Sequence, residues 1–285
     1  MNAPERDAAT DVRPVAGGID HPEGVAWHDG HLYCGTEGGE LLRIDPDGGS
    51  WEVVARPGGF LLGLAFDGSG ACVICDAGAG RLVRVAPDGS SETLADSVAG
   101  RKLISPNFPL FGSDGTLWAT ESGSGWTADD GYLFRIPPGG EAELVSESCR
   151  RFPNGLALAP DESRLYAVES RWPGVVSYPL SDGVLGEREE TLPLPFTVPD
   201  GLAFDAEGAL YIGCCRPDRV YRLAASGALE VYLDDFTGEF MTTPTNLAFG
   251  GEGLRTLFLA GLAGWSVNAV DVEVPGHPLP RPVAP

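Results

Sequence analysis

The sequence predicts an all-β fold: a six-bladed β-propeller of four-stranded blades around a central channel. Three observations predict it. A short phrase recurs six times along the chain, each recurrence opens the same order of strands and turns, and no stretch carries a 3.6-residue apolar period over three turns.

The phrase reads Pro22-Glu23-Gly24-Val25-Ala26, then Pro153-Asn154-Gly155-Leu156-Ala157, then Pro199-Asp200-Gly201-Leu202-Ala203. Weaker copies are Leu62-Gly63-Leu64-Ala65-Phe66, Pro106-Asn107-Phe108-Pro109-Leu110 and Pro244-Thr245-Asn246-Leu247-Ala248. Aligned, they place Glu23, Leu62, Asn107, Asn154, Asp200 and Thr245 in one slot, at spacings of 39, 45, 47, 46 and 45 residues. Each unit is about the length of a four-stranded propeller blade.

Within a unit the phrase opens a short apolar strand, such as Gly201 to Phe204. Turn dipeptides follow: Asp29-Gly30, Asp67-Gly68, Asp114-Gly115, Asp161-Glu162 and Glu207-Gly208. The second strands are read at Leu32–Gly35, Ala71–Cys75, Leu117–Thr120, Leu165–Val168, Leu210–Gly213 and Leu257–Ala260. Third strands follow at Glu40–Ile44, Arg81–Val85, Tyr132–Ile136, Gly174–Tyr178 and Arg219–Leu223, and fourth strands at Glu52–Ala55 and Leu229–Leu233. The last unit lacks a clear fourth strand because its tail, His277 to Pro285, is proline-rich. Asp11–Val15 could supply that strand and close the ring. The chain is thus expected to be one propeller domain over residues 11–285, with a disordered tail over residues 1–10.

Composition excludes some functions. A net charge of −22, with one lysine against 18 arginines, argues against nucleic acid and anionic membrane surfaces, which need clustered cations. No run has the length of a signal-peptide core or of a membrane helix, so a cytoplasmic protein is expected, monomeric or weakly self-associating. The six cysteines show no paired CxxC spacing and read as buried, reduced thiols.

The slot carries the chemistry. In a propeller the first strand of each blade lines the channel, so slot residues at its start converge on one mouth. Leu62 and Thr245 are not ligands in this reading. Glu23, Asn107, Asn154 and Asp200 make an oxygen-only cluster with two carboxylates, whose joint burial calls for a proton or a cation. Without histidine or cysteine, the set suits Ca²⁺ best, with Mg²⁺, Mn²⁺, Zn²⁺ or Fe²⁺ as alternatives. A single Asp or Asn before glycine would only make a turn; recurrence at four ring positions is what points to a site. Open coordination positions would favour catalysis.

On His21-Pro22-Glu23-Gly24, Phe152-Pro153-Asn154-Gly155-Leu156-Ala157, Pro199-Asp200-Gly201-Leu202-Ala203-Phe204 and Pro244-Thr245-Asn246-Leu247-Ala248-Phe249, the chain resembles the senescence marker protein (regucalcin)–gluconolactonase-like family of six-bladed propellers. The resemblance implies one divalent metal in the channel, held by Glu23, Asn154 and Asp200, and hydrolysis of a small-molecule lactone. It implies that the metal polarises the carbonyl, that Asp200 activates water, and that Asn107 holds water or substrate. Where the family commonly has Asn-Asp, Asn107 is followed by Phe108-Pro109; where many members have an arginine reaching the sugar, Ser105 stands. Phe108, with Phe60 and Trp126 in mouth loops, would suit a more apolar substrate, or would simply pack.

Other polar residues are weaker candidates. Glu37, Asp76, Glu121 and Glu169 recur at the ends of second strands, which reads as a blade-to-blade structural role, although Glu121 could reach substrate at the mouth. His21 could assist as a base or be an ordinary loop histidine. No Gly-x-Ser-x-Gly elbow is present, against a covalent serine mechanism. Two other readings stay open: a different metal-dependent propeller enzyme, phosphotriesterase-like or tailoring a natural product, and a non-catalytic propeller that binds metal or a partner.

Overall fold

The apolar alternation and the turn residues resolve into six sheets arranged as blades, plus a two-stranded ribbon at Ser97–Val98 and Arg101–Lys102, in a computed structural model that describes residues 6–282. The inner strands are Pro22–His28, Leu61–Phe66, Pro106–Phe111, Pro153–Leu158, Val198–Phe204 and Pro244–Gly250. Each pairs antiparallel with the next strand of its own blade and lies against the inner strands of both neighbouring blades, and the last lies against the first. The fold is therefore the six-bladed propeller expected. Among the described residues helix is confined to Ala8–Asp11 and a 3₁₀ turn at Glu252–Leu254.

Turn chemistry works as read. At Asp29-Gly30 both residues have positive φ, 46° and 78°, the mirror-image turn whose twist matches a two-stranded ribbon. It pairs His28 directly with His31.

The blades have no private cores. Buried apolar side chains fall into six clusters, each filled from two adjacent blades. One packs Val25, Leu32 and Ile44 of blade one against Phe258, Ala260 and Val267 of blade six. Another packs Phe108 and Trp118 of blade three against Leu156 and Leu165 of blade four. A blade's two apolar faces can leave water only against its neighbours, so closure of the ring is part of the core.

Closure uses the N-terminus. Arg13–Gly17 pairs antiparallel with Ser266–Asp271 as the outer strand of blade six, two residues later than the Asp11–Val15 expectation. Residues 6–10 depart from the expected disordered tail. Arg6–Asp7 adds a short parallel strand to the outer edge of blade five, and Ala8 is buried between blades five and six. The physical reason is that alanine at position 8 fits an apolar gap, and the edge of blade five offers unpaired backbone groups. Residues 1–5 of that tail lie outside the described residues.

The proline-rich C-terminal segment takes another course. Ala206 donates its N–H to Pro275, His277 donates to Phe204, Arg281 donates to the carbonyl of Trp27, and Gly68 donates to Pro282. These partners lie at or just beyond the ends of inner strands, so the segment crosses the channel at the end opposite the slot residues. Beneath it lies an apolar cavity of about 410 Å³ lined by Trp27, Phe66, Phe111, Phe204 and Phe249.

Deleting residues 1–18 removes the outer strand of blade six and uncovers its cluster. The expected cost is several kcal/mol, a fall in melting temperature on the order of 10 °C. Thermal unfolding of the truncated chain measures it, and an unchanged melting temperature would refute closure through this strand.

Candidate functional site

Every inner strand breaks its ladder at the slot. The register shifts between Pro22 and Val25, Leu61 and Leu64, Pro106 and Pro109, Pro153 and Leu156, Pro199 and Leu202, and Pro244 and Leu247. Five of the six breaks open with proline, which has no N–H to give the ladder. Such a bulge re-aims the side chains within it. The glycine after the slot sets the spacing. A Cβ on Gly24 would stand 2.0 Å from the carbonyl oxygen of Leu62, and one on Gly155 would stand 2.5 Å from that of Asp200. Adjacent slots therefore touch through backbone.

Hydroxyls tie the same segments across blades. Ser122 donates to the carbonyl of Pro153 at 2.6 Å, Ser170 to that of Pro199 at 2.6 Å, Thr120 to that of Asn154 at 2.9 Å and Thr245 to that of Glu23 at 2.9 Å. Each slot is positioned by its neighbour.

Glu23, Asn107, Asn154 and Asp200 are all buried at the slot ring. Asn154 uses its Nδ2 to reach Ser170 at 3.2 Å, leaving Oδ1 without a partner. Asp200 receives the Cys215 thiol on Oδ2 at 3.2 Å, and its Oδ1 is likewise free. The Oδ1 atoms of Asn107 and Asn246 are buried and unpartnered too. Four buried acceptors without donors form an arrangement that a cation satisfies. Among the described residues no three His, Cys, Asp or Glu side chains form a cluster, so carboxamides have to complete any ligand set.

Electrostatics agree with this geometry. Burial pushes the Asp200 carboxyl up to about 6, against the hydrogen bonds from Cys215 and Asn154 that favour its ionised form. Burial, then the nearby Asp200 charge, raises Glu23 well above the usual carboxylate range, with Asn246 opposing. Two carboxylates that resist ionising side by side accept a divalent ion readily.

Three members escaped sequence reasoning. Asn246 donates from Nδ2 to Glu23 Oε2 at 3.4 Å. It stands one place after the Thr245 slot, where four of the other five copies carry glycine, and a frame-by-frame reading of the phrase would have found it. Cys215 reaches Asp200 while its neighbour Cys214 packs in the core. Ser170 was also missed, although the dipeptides Glu121-Ser122 and Glu169-Ser170 repeat its signal.

The remaining candidates separate. Ser105 is half-buried at the mouth, two residues before Asn107. Phe108 does not face the mouth: it occupies the glycine place after the slot, joins the cluster between blades three and four, lies against Gly63 of blade two and borders the cavity at the opposite end of the channel. Glu121 is not free for substrate. Its carboxylate accepts the N–H groups of Ile104, Ser105 and Gly123 at 3.1, 2.7 and 3.0 Å. Asp76 and Glu169 likewise clamp the loops leading into their own blades, at Phe60 and at Arg150–Arg151. The role is structural, but within a blade rather than between blades. Glu37 is exposed instead and lies 3.5 Å from His21.

Fold and site together define a propeller with an oxygen cluster at one mouth of its channel. The chain matches the SMP-30/Gluconolactonase/LRE-like region across residues 21–262 and belongs to that family. It is 26% identical over 306 residues to the gluconolactonase of Zymomonas mobilis, covering 94% of this chain and 82% of the relative. To the 6-deoxy-6-sulfogluconolactonase of Pseudomonas putida it is 30% identical over 270 residues, covering 84% and 85%. The solved structure of a gluconolactonase from Xanthomonas campestris shares the fold at a TM-score of 0.78 and 24% identity, covering 93% of this chain and 89% of that one. No helix among the described residues is long and apolar enough to cross a membrane.

Two predictions follow from this geometry. Gly155→Ala should cost ~1–3 kcal/mol by forcing apart the backbones of blades four and five, read by urea unfolding. The second concerns pH. A carboxyl whose folded pKa is raised contributes stability that is present below its unfolded value and lost as pH rises through the folded one. In chelator, wild type should therefore lose up to ~3 kcal/mol relative to Asp200→Asn between pH 4 and pH 7.5. Added Ca²⁺ should restore stability at pH 7.5 more than at pH 5; no cation effect at pH 7.5 would count against a cation at this cluster.

Proposed function

We propose that the protein hydrolyses a lactone with the assistance of a divalent cation. The observation that carries this reading is the set of buried, donorless acceptors on Asn107, Asn154, Asp200 and Asn246 beside two mutually destabilising carboxylates. Glu23, Asn154 and Asp200 would hold the ion, Ca²⁺ matching an all-oxygen set best. Bound there, the ion supplies Lewis-acid polarisation of the lactone carbonyl.

The chain's own residues do the rest. Asp200 takes a proton from the attacking water, and the water oxygen bonds to the carbonyl carbon. The ring C–O bond then breaks, the ring oxygen collects that proton, and a hydroxy acid leaves. Cys215, donating to Oδ2, holds the Asp200 carboxylate in one orientation. Asn107, buried at the same ring, orients water or the lactone. Asn246 fixes Glu23 from the side of blade six. The relatives that act on gluconolactone and on its sulfonated analogue support the reaction class.

The test is turnover of a lactone panel by purified protein with each cation in turn. Asp200→Asn should lower kcat by about 100-fold or more, the scale of a lost general base. Equal turnover by that variant, or an inert wild type with every cation, would overturn the reading.

A further inference from the structure

Two residues before each slot stand His21, Phe60, Ser105, Phe152, Val198 and Thr243, all half-buried. They form the next ring outward from the oxygen cluster. None is lysine or arginine. Arg216 reaches Thr243 at 2.7 Å, but its guanidinium also donates to the Cys215 carbonyl at 2.6 Å and lies 3.3 Å from Asp218. Its charge is already engaged.

Two of these ring positions are built alike. Phe152 has φ 60° and meets Trp126, from the loop after the second strand of blade three, with ring centroids 5.0 Å apart. His21 has φ 43° and meets Trp265, from the corresponding loop of blade six, at 5.1 Å. Thr243 of the same ring shares the left-handed backbone at 64°, and at bulky residues this is a strained choice that the surrounding structure has to hold. Blades three and four meet on one side of the ring, and blades six and one meet directly across from them. Two aromatic pairs thus flank the mouth from opposite sides.

Both tryptophans are displayed on pinned loops. Ser124 binds Asp130 through backbone and hydroxyl at 3.0 and 2.6 Å, closing the loop that carries Trp126. The Trp265 carbonyl accepts the N–H of Ile19 at 3.1 Å. Yet Trp126 remains 46% exposed and Trp265 58%, so each ring spends only part of its surface on its partner. On the same face Phe196 and Phe236 are almost wholly exposed. Indole faces held rigidly and left half-bare offer apolar contact at low entropic cost.

We propose that Trp126 with Phe152, and Trp265 with His21, form the two sides of an aromatic clamp at the mouth that selects lactones bearing an aryl or alkyl substituent over polyhydroxylated sugar lactones. The substituent packs against a half-bare indole on either side while the lactone carbonyl reaches the oxygen cluster. This rests on the lactonase reading above and adds the substrate class.

The test compares phenyl-substituted δ-valerolactone, bare δ-valerolactone and glucono-δ-lactone on the cation-loaded full chain. Wild type should favour the phenyl lactone over the sugar lactone by about 10-fold or more in kcat/KM, the scale of a filled apolar pocket. Trp126→Ala and Trp265→Ala should each cut the phenyl-to-bare ratio by about 5-fold or more, mainly through KM, and Trp126→Phe should retain most of it. Trp51→Ala, which removes an exposed indole from an outer strand, controls for a general effect. A preference for the sugar lactone, or alanine variants that slow all three substrates alike, would overturn the clamp. Quenching of tryptophan fluorescence by the phenyl-substituted lactam needs no turnover. If the lactam binds in a Trp126-dependent way while no lactone is opened, the clamp stands and the lactonase reading falls. If lactones are opened while lactam binding ignores both tryptophans, the clamp falls and the lactonase reading stands.

Discussion

A blade of this protein cannot bury its own apolar faces, and everything else depends on that constraint. Each blade is built on four antiparallel strands, with a short fifth added in blades four and five, and is apolar on both sides, so every face has to find the next blade. The six clusters between blades are the core, and the one between blades six and one forms only when the ring is closed. Blade six consequently takes its outer strand from the opposite end of the chain, and residues 6–8 extend that closure to blade five. The position of each slot residue is inherited from this closure, because the bulged phrases touch only where neighbouring inner strands are drawn together.

That closeness has an electrostatic price. The glycine after the slot lets backbones approach within contact, and the bulge turns Glu23 and Asp200 toward the same volume. Burial disfavours both charges, and their partners are chosen to blunt rather than cancel the effect. Asp200 has the weak Cys215 thiol beside the Asn154 amide, and Glu23 has one long donor from Asn246, where a buried carboxylate could accept several. Contrast Glu121, whose carboxylate takes three backbone N–H groups and is satisfied inside the protein. One carboxylate is finished by the fold; the other two are left unfinished, and unfinished acceptors are what a ligand can complete.

Much of this was legible before any coordinates. The propeller followed from the spacing of a five-residue phrase, because equal blades demand equal repeats. The convergence of Glu23, Asn154 and Asp200 followed from their common slot. What failed did so for local reasons. Phe108 looked like a mouth residue because Asn107 is one, but a bulge separates the directions of neighbours, and the ring went into the interface between blades. Glu121 looked available because sequence shows a carboxylate and not the N–H groups facing it. Asn246 was hidden by aligning Thr245 into the slot, a one-residue frame that ignored which of two adjacent polar side chains the bulge would expose. The N-terminal residues were read as tail from their polarity, whereas Ala8 needed only one apolar gap to dock.

The segment from Pro275 to Pro282 gives the molecule a direction. It is stitched to inner-strand ends across the far side of the channel, over a cavity walled by aromatic rings. A ring of blades is open at both ends by construction; here one end carries a proline-rich strap. The two ends are therefore unlike in kind, with buried oxygen acceptors at one and apolar rings beneath the strap at the other. A charged or strongly hydrated group is dehydrated without recompense among those rings, so only the end with the oxygens suits it.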